Sequence, residues 1–204
     1  MVKLRKTPKH STGDWDFSDV LWELDSTDYV SSPSSLSKLP DGTTETRVLI
    51  KTTTVPSTSV KEGRISTYIK LGNSVGAYRN ICRIILRYQD ENNYYYVVIG
   101  NDNATTLGWE IHRIYGGVDT LLANGTLTFT YWTWIRYRVT WWNDYVGLVI
   151  RFEYYIGGAW TTISTAYDSS NYWTGGGRVG FKMRRWVVAD ICKIDDTEIY
   201  GIPP

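Results

Sequence analysis

Apolar and polar residues alternate with a period of two along most of this chain, and no other feature restricts the fold as much. Ile135, Tyr137, Val139 and Trp141 alternate with Arg136, Arg138 and Thr140. Ile65, Thr67, Ile69 and Leu71 alternate with Arg64, Ser66, Tyr68 and Lys70. Cys82, Ile84, Leu86 and Tyr88 alternate with Arg83, Ile85 and Arg87, and Leu148, Ile150 and Phe152 with Val149, Arg151 and Glu153. Successive strand residues point to opposite sides of a sheet, so each segment reads as a strand with one buried face. No window of useful length carries the 3.6-residue period of a helix. Gly116-Gly117, Asn124-Gly125 and Gly157-Gly158 fall between such segments and are expected to be tight hairpin turns. Many short strands at regular spacing imply an all-β sandwich or barrel.

The chain has 204 residues and a formal charge of +1, which suits one domain with a sizeable core. That balance gives no whole-protein field toward nucleic acid or a membrane surface. No apolar run is long enough for a membrane-spanning helix. The start, Met1–His10, is basic but has no apolar stretch behind it, so no signal peptide is expected. Lys3, Arg5, Lys6 and Lys9 precede the first acid, Asp14. Residues 1–14 are therefore expected to be a solvated basic arm, and residues 15–204 a single domain. Cys82 and Cys192 are the only cysteines and are too far apart in sequence to form a metal motif. Both share strand parity with apolar residues and are expected to be buried thiols. Ten Trp and 16 Tyr stand against 4 Phe. These residues combine an apolar body with a polar tip, which suits half-wet sheet faces and interfaces.

Several segments in order resemble the concanavalin A-like lectin/glucanase superfamily, in particular its laminin-G-like and carbohydrate-binding members. They are Arg87-Tyr88-Gln89-Asp90 with Asn93-Tyr94-Tyr95, the run Trp134–Val139, Gly157-Gly158-Ala159-Trp160, Asp168-Ser169, Gly177–Phe181 and Asp190–Ile194. Tyr29–Leu36 resembles that family's opening strands, so the likeness covers about residues 15–201. It implies a jelly-roll sandwich of two antiparallel sheets. Fold alone does not assign function, because lectins, adhesins, glycosidases, lyases and virion proteins share this one.

Catalytic signals are poor. Glu23 and Asp25 share one strand face but lie in the opening segment, where glycosidases of the resembling family do not keep their acids. Glu45-Thr46-Arg47, Glu110-Ile111-His112 and Phe181-Lys182 resemble the three strands of polysaccharide lyases on this fold, with Glu110 where that family has Gln. His112 is the one candidate general base there. For metal, the resemblance implies one structural calcium, with Asp16 and Asp190 as first candidates and Glu23, Asp195 and Asp196 as further oxygen donors. The arginines say more. With the apolar sets inward, Arg83, Arg87, Arg113, Arg136, Arg138 and Arg151 are expected to face outward beside aromatic residues such as Trp142 and Trp173. Such a surface suits sugar stacking, an acidic glycan or another protein subunit.

The expectation is a non-enzymatic, lectin-like binding or surface-structural module. Its ligand-binding set is Arg83, Arg87, Arg113, Arg136, Arg138, Trp142 and Trp173, and its partner is a glycan or another subunit. Nucleic acid is not expected, for want of a basic excess. Without a signal peptide, the module is expected to be made in the cytoplasm and released with a phage or virus particle, anchored by its basic arm. A glycan-active hydrolase or lyase on the same fold is the alternative.

Overall fold

A computed structural model of the chain describes residues 2–7, 15–17, 22–25, 27, 30, 35–38, 46–50, 60–72, 81–100, 107–127, 131–170, 175–184 and 192–202. These residues contain fifteen strands and no helix: β1 (Val2–Thr7), β2 (Trp15–Phe17), β3 (Trp22–Asp25), β4 (Ser35–Lys38), β5 (Thr46–Ile50), β6 (Glu62–Leu71), β7 (Ile81–Asp90), β8 (Asn93–Ile99), β9 (Leu107–Tyr115), β10 (Val118–Leu127), β11 (Ile135–Asn143), β12 (Leu148–Ile156), β13 (Ala159–Asp168), β14 (Arg178–Arg184) and β15 (Cys192–Ile202). One sheet has eight strands in the order β13-β12-β11-β6-β15-β4-β3, with β1 added beside β15. The other has seven, in the order β10-β9-β8-β7-β14-β5-β2. All pairings are antiparallel. The connections that leave one sheet for the other make this a jelly-roll sandwich.

The inner faces carry the alternating apolar sets. Ile65 and Ile69 of β6, Tyr137, Val139 and Trp141 of β11, and Ile150 and Phe152 of β12 meet Cys82, Ile84 and Leu86 of β7, Tyr95, Val97 and Ile99 of β8, and Phe181 and Met183 of β14. Each fully buried side chain of this size contributes about 1.5–3 kcal/mol over its exposed form. A second buried cluster holds the opposite parity on the seven-stranded sheet: Leu49, Ile81, Ile85, Tyr88, Tyr94, Tyr96 and Val98. The outer side of this sheet is therefore also partly apolar.

Gly116-Gly117 and Gly157-Gly158 are tight turns, with every φ between +57° and +86°. Asn124-Gly125 is not a turn. It lies inside β10, paired with Glu110 and Trp109. The Trp109 indole occupies the space above Gly125, and a Cβ there would meet its ring at 2.8 Å. The glycine thus serves a close ring contact rather than a reversal of the chain.

The basic segment also departs from expectation. Val2–Thr7 pair with β15 from Gly201 to Thr197, so this stretch is a strand rather than a solvated arm. β4 takes the same edge of β15 further along, at Lys193 and Ile194. Deleting residues 1–7 unpairs that edge. With each backbone hydrogen bond worth about 0.5–1.5 kcal/mol net, urea unfolding should show a loss of about 1–3 kcal/mol.

Cys82 and Cys192 are buried and unbonded, as their parity predicts. Burial, with Cys192 nearby, pushes the Cys82 thiol well above its usual range. Neither thiol should react with a thiol reagent in the native protein. Both should react after denaturation without reductant.

Candidate functional site

Arg87 and Arg113 are the two arginines expected outside that the structure buries. The ladder of β7 against β8 skips from Leu86 to Asp90, and Arg87 takes φ 50°. This bulge inverts parity. Arg87 turns inward and is fully buried, while Tyr88 joins the outer cluster beside Tyr94, 5.7 Å between ring centroids. The Arg87 guanidinium donates to the Lys61 carbonyl and, at 3.0 Å, to Asn143 Oδ1. Gly177 lies so close to the Arg87 backbone that a Cβ there would meet its carbonyl carbon at 2.3 Å. Arg113 shares parity with Trp109 and Ile111 and points inward with them. Its Nη1 donates to Asp168 Oδ1 at 2.7 Å, and its Nη2 to Thr120 Oγ1 at 3.2 Å. The Tyr95 hydroxyl donates to Asp168 Oδ2, also at 2.7 Å. Burial first, and then this bond, push the Tyr95 phenol far above its usual range. Both arginines are therefore structural ties between the sheets and leave the expected ligand set.

Arg136, Arg138 and Trp142 do face outward, on β11 of the eight-stranded sheet. Arg138 donates to both Glu153 oxygens, at 2.7 and 2.6 Å, and lies 4.1 Å from the Trp160 ring centroid. Arg136 donates to Glu198 at 2.9 Å and reaches over Tyr68 and Trp160. Arg151 lies over Trp142 at 5.1 Å, and Arg64 over Tyr200 at 4.4 Å. Each cation here is laid against an aromatic ring of its own sheet, and Arg136 and Arg138 are also paired with an acid. The face is a cross-strand ladder of arginines and aromatic rings in which Arg136 and Arg138 already have acid partners.

Trp173 and Asp190 lie outside the described residues, as do the side chains of Asp16 and Glu23. Asp195 is fully buried and accepts backbone N–H bonds at both oxygens, from Val30 at 2.6 Å and from Asp196 at 2.7 Å. Its carboxylate is part of the backbone frame and is a poor fit to a calcium shell. Among the described residues no group of three His, Cys, Asp or Glu side chains could hold a metal.

The seven-stranded sheet carries a different outer surface. One cross-strand row runs Lys182, Arg83, Val98, Glu110, Asn124. At its Glu110–Asn124 end lies a cleft of about 230 Å³, lined by Gly108, Trp109, Glu110, Asn124, Gly125 and Thr126. A core indole, a carboxylate, a carboxamide and a hydroxyl thus meet at one small opening. The next row holds Ile85, Tyr96, His112 and Leu121. The His112 ring stacks on Tyr96, with centroids 4.8 Å apart and planes at 7°. Its Nε2 lies 2.8 Å from Glu110 Oε2 and its Nδ1 2.8 Å from Asp119 Oδ1. The Tyr96 hydroxyl donates to Asp119 Oδ2 at 2.6 Å. Burial, followed by that bond, drives the Tyr96 phenol far up. Arg83 lies over the same ring at 5.1 Å.

Sequence reasoning selected Arg83 and examined His112, but it missed the cleft. Treating Asn124-Gly125 as a turn removed one wall. The available signal was the continuation of strand-forming residues through Leu127.

No protein-family profile matches the sequence, and no curated protein sequence does. Solved structures do match in fold. A legume lectin-like domain from Entamoeba histolytica superposes with a TM-score of 0.69 at 9% identity, covering 99% of each chain. The carbohydrate-binding module CBM66 from Bacillus subtilis gives 0.61 at 14% identity, over 92% of this chain and 96% of that one. The exoplasmic/lumenal domain of VIP36, in its Ca2+/Man3GlcNAc-bound form, gives 0.63 at 11% identity, over 94% and 87%. The chain has the lectin-like jelly-roll fold, as its ordered segments imply.

Breaking the inter-sheet tie should be costly. Asp168→Asn leaves the buried Arg113 charge without its carboxylate and should destabilise the domain by about 3–5 kcal/mol in urea unfolding. Arg138→Ala likewise strands the buried Glu153 carboxylate and should also be clearly destabilising in the same measurement.

Proposed function

We propose that this protein is a non-catalytic glycan-binding module whose sugar seat is the Glu110–Asn124 cleft. The observation that carries the reading is the chemistry of that opening. Pockets that orient a sugar combine apolar area with a few placed polar groups, and here Trp109 lies beside Glu110, Asn124 and Thr126. A carboxylate and a carboxamide can each engage a sugar hydroxyl, one as acceptor, the other as donor or acceptor. The small volume suits a single sugar residue of a longer chain. The lectin and carbohydrate-binding neighbours support the same class of ligand.

The state of His112 favours binding over catalysis. Each ring nitrogen lies against a carboxylate oxygen, and the ring that donates to both has no lone pair left for a substrate proton, as a general base requires. The lyase-like trio of Arg47, His112 and Lys182 does share one sheet, yet Lys182 pairs with Arg47 and Arg83, and β7 and β8 lie between its strand and β9. Calcium has no part in this reading. Release with a virus particle is its remaining element, and capsid or tail genes flanking this one would support it. The basic segment offers no free anchor for that role, because Val2–Thr7 are held in the sheet.

A printed array of neutral oligosaccharides tests the reading. Specific binding by the wild-type domain is expected, with at least about tenfold weaker binding for Glu110→Gln and Asn124→Ala, since a hydrogen bond to a charged group is worth about 1.5–3 kcal/mol. A blank array, or variants that bind as wild type, would remove the cleft as the seat. Release of reducing ends or unsaturated sugars from β-glucans or uronate polymers would instead establish an enzyme.

A further inference from the structure

His112 contacts a carboxylate oxygen at each ring nitrogen, both at 2.8 Å. Each contact is a hydrogen bond only if that nitrogen carries a proton. The imidazolium has two N–H donors and the neutral ring has one. On loss of a proton, one nitrogen lone pair faces a carboxylate oxygen at hydrogen-bond distance, and that contact becomes repulsive.

The surroundings decide which carboxylate lets go. Asp119 of β10 is held twice, by Nδ1 and by the Tyr96 hydroxyl of β8. Among the described residues, the Glu110 side chain has no hydrogen bond other than the one with His112 Nε2. It is also partly exposed, at 39% of its side chain, and already forms a wall of the cleft. The neutral ring therefore keeps Nδ1–H on Asp119 and releases Glu110. The charged and titratable groups around the ring are Glu110 on its own strand, Asp119 on β10, Tyr96 on β8 and, over the Tyr96 ring, Arg83 of β7. With His112 protonated, Glu110, Asp119, His112 and Arg83 sum to zero. The proton passes to solvent, and the group is left with one net negative charge.

We propose that protonation of His112 gates the cleft: the imidazolium ties Glu110 back, and the neutral ring frees it to accept a bond from a sugar hydroxyl. The inference rests on the glycan-binding reading for its ligand and on the protein alone for its switch. Binding then strengthens as His112 loses its proton.

Two measurements test it. In the unliganded protein, carboxyl carbon and ring nitrogen NMR should show the Glu110 carboxyl signal moving together with the His112 ring titration. A Glu110 signal that stays still across that titration overturns the gate whatever the ligand. In the second, the array oligosaccharide with the strongest signal is titrated into wild type at about pH 5 and about pH 8, which bracket histidine charge change. About tenfold tighter binding at the higher pH is expected. His112→Gln should bind with one affinity at both. Equal wild-type affinities, or tighter binding in acid, overturn the proposal. An array blank at both pH values removes the glycan reading instead, and the NMR result still decides the switch.

Discussion

The ion pair between Arg113 and Asp168 is the constraint around which this sandwich is organised. Its side chains are 9% and 3% exposed, and its partners belong to different sheets: Arg113 to β9 and Asp168 to the end of β13. Apolar packing presses two sheets together but says little about their relative slide. A charged pair with a bonded phenol allows one alignment, because any other leaves a buried charge uncompensated. Arg87 makes a second tie of the same kind, from β7 to the Lys61 carbonyl and Asn143. The two meet at one end of the sandwich, since Leu86, Tyr95 and Arg113 are successive cross-strand neighbours.

These ties account for what the sequence conceals. A period of two states which residues share a face, and it placed Tyr137, Val139, Trp141, Ile150 and Phe152 in the core correctly. It cannot announce a bulge. Where the register breaks after Leu86, Arg87 and Tyr88 change side, and a surface arginine becomes a buried one. Arg113 is a different case. Its parity with Trp109 and Ile111 was readable, and the general preference of arginine for water argued against it. The preference lost because Asp168, far away in sequence, supplies the partner. The cleft was hidden for a third reason: Asn-Gly is the strongest short hairpin signal, and only the Trp109 ring above Gly125 shows why the pair sits inside a strand.

The two outer faces illustrate how similar residues serve different ends. On the eight-stranded sheet, Arg136, Arg138 and Arg151 lie against Trp160 and Trp142, and Glu153 and Glu198 complete the ladder. Little of that charge faces an incoming ligand. On the seven-stranded sheet, the acids Glu110 and Asp119 are joined through one imidazole, with an opening beside it. Aromatic and arginine content, so conspicuous in the sequence, therefore marks the supporting face, and the candidate seat is built from Trp109, Glu110, Asn124 and Thr126, with His112 beside Glu110.

Trp109 belongs to both the core and the cleft. It packs 6.1 Å from Phe152 between the sheets and lies against Gly125 at the opening. Its ring is thus a floor that cannot be exchanged without disturbing the interior. Glu110, Asn124 and Thr126 stand on that floor as partly exposed walls. A lineage carrying this fold can therefore drift toward new ligands at three positions while the fourth stays fixed. Diversity among its descendants should collect in the walls, and the indole beneath should outlast every change of taste.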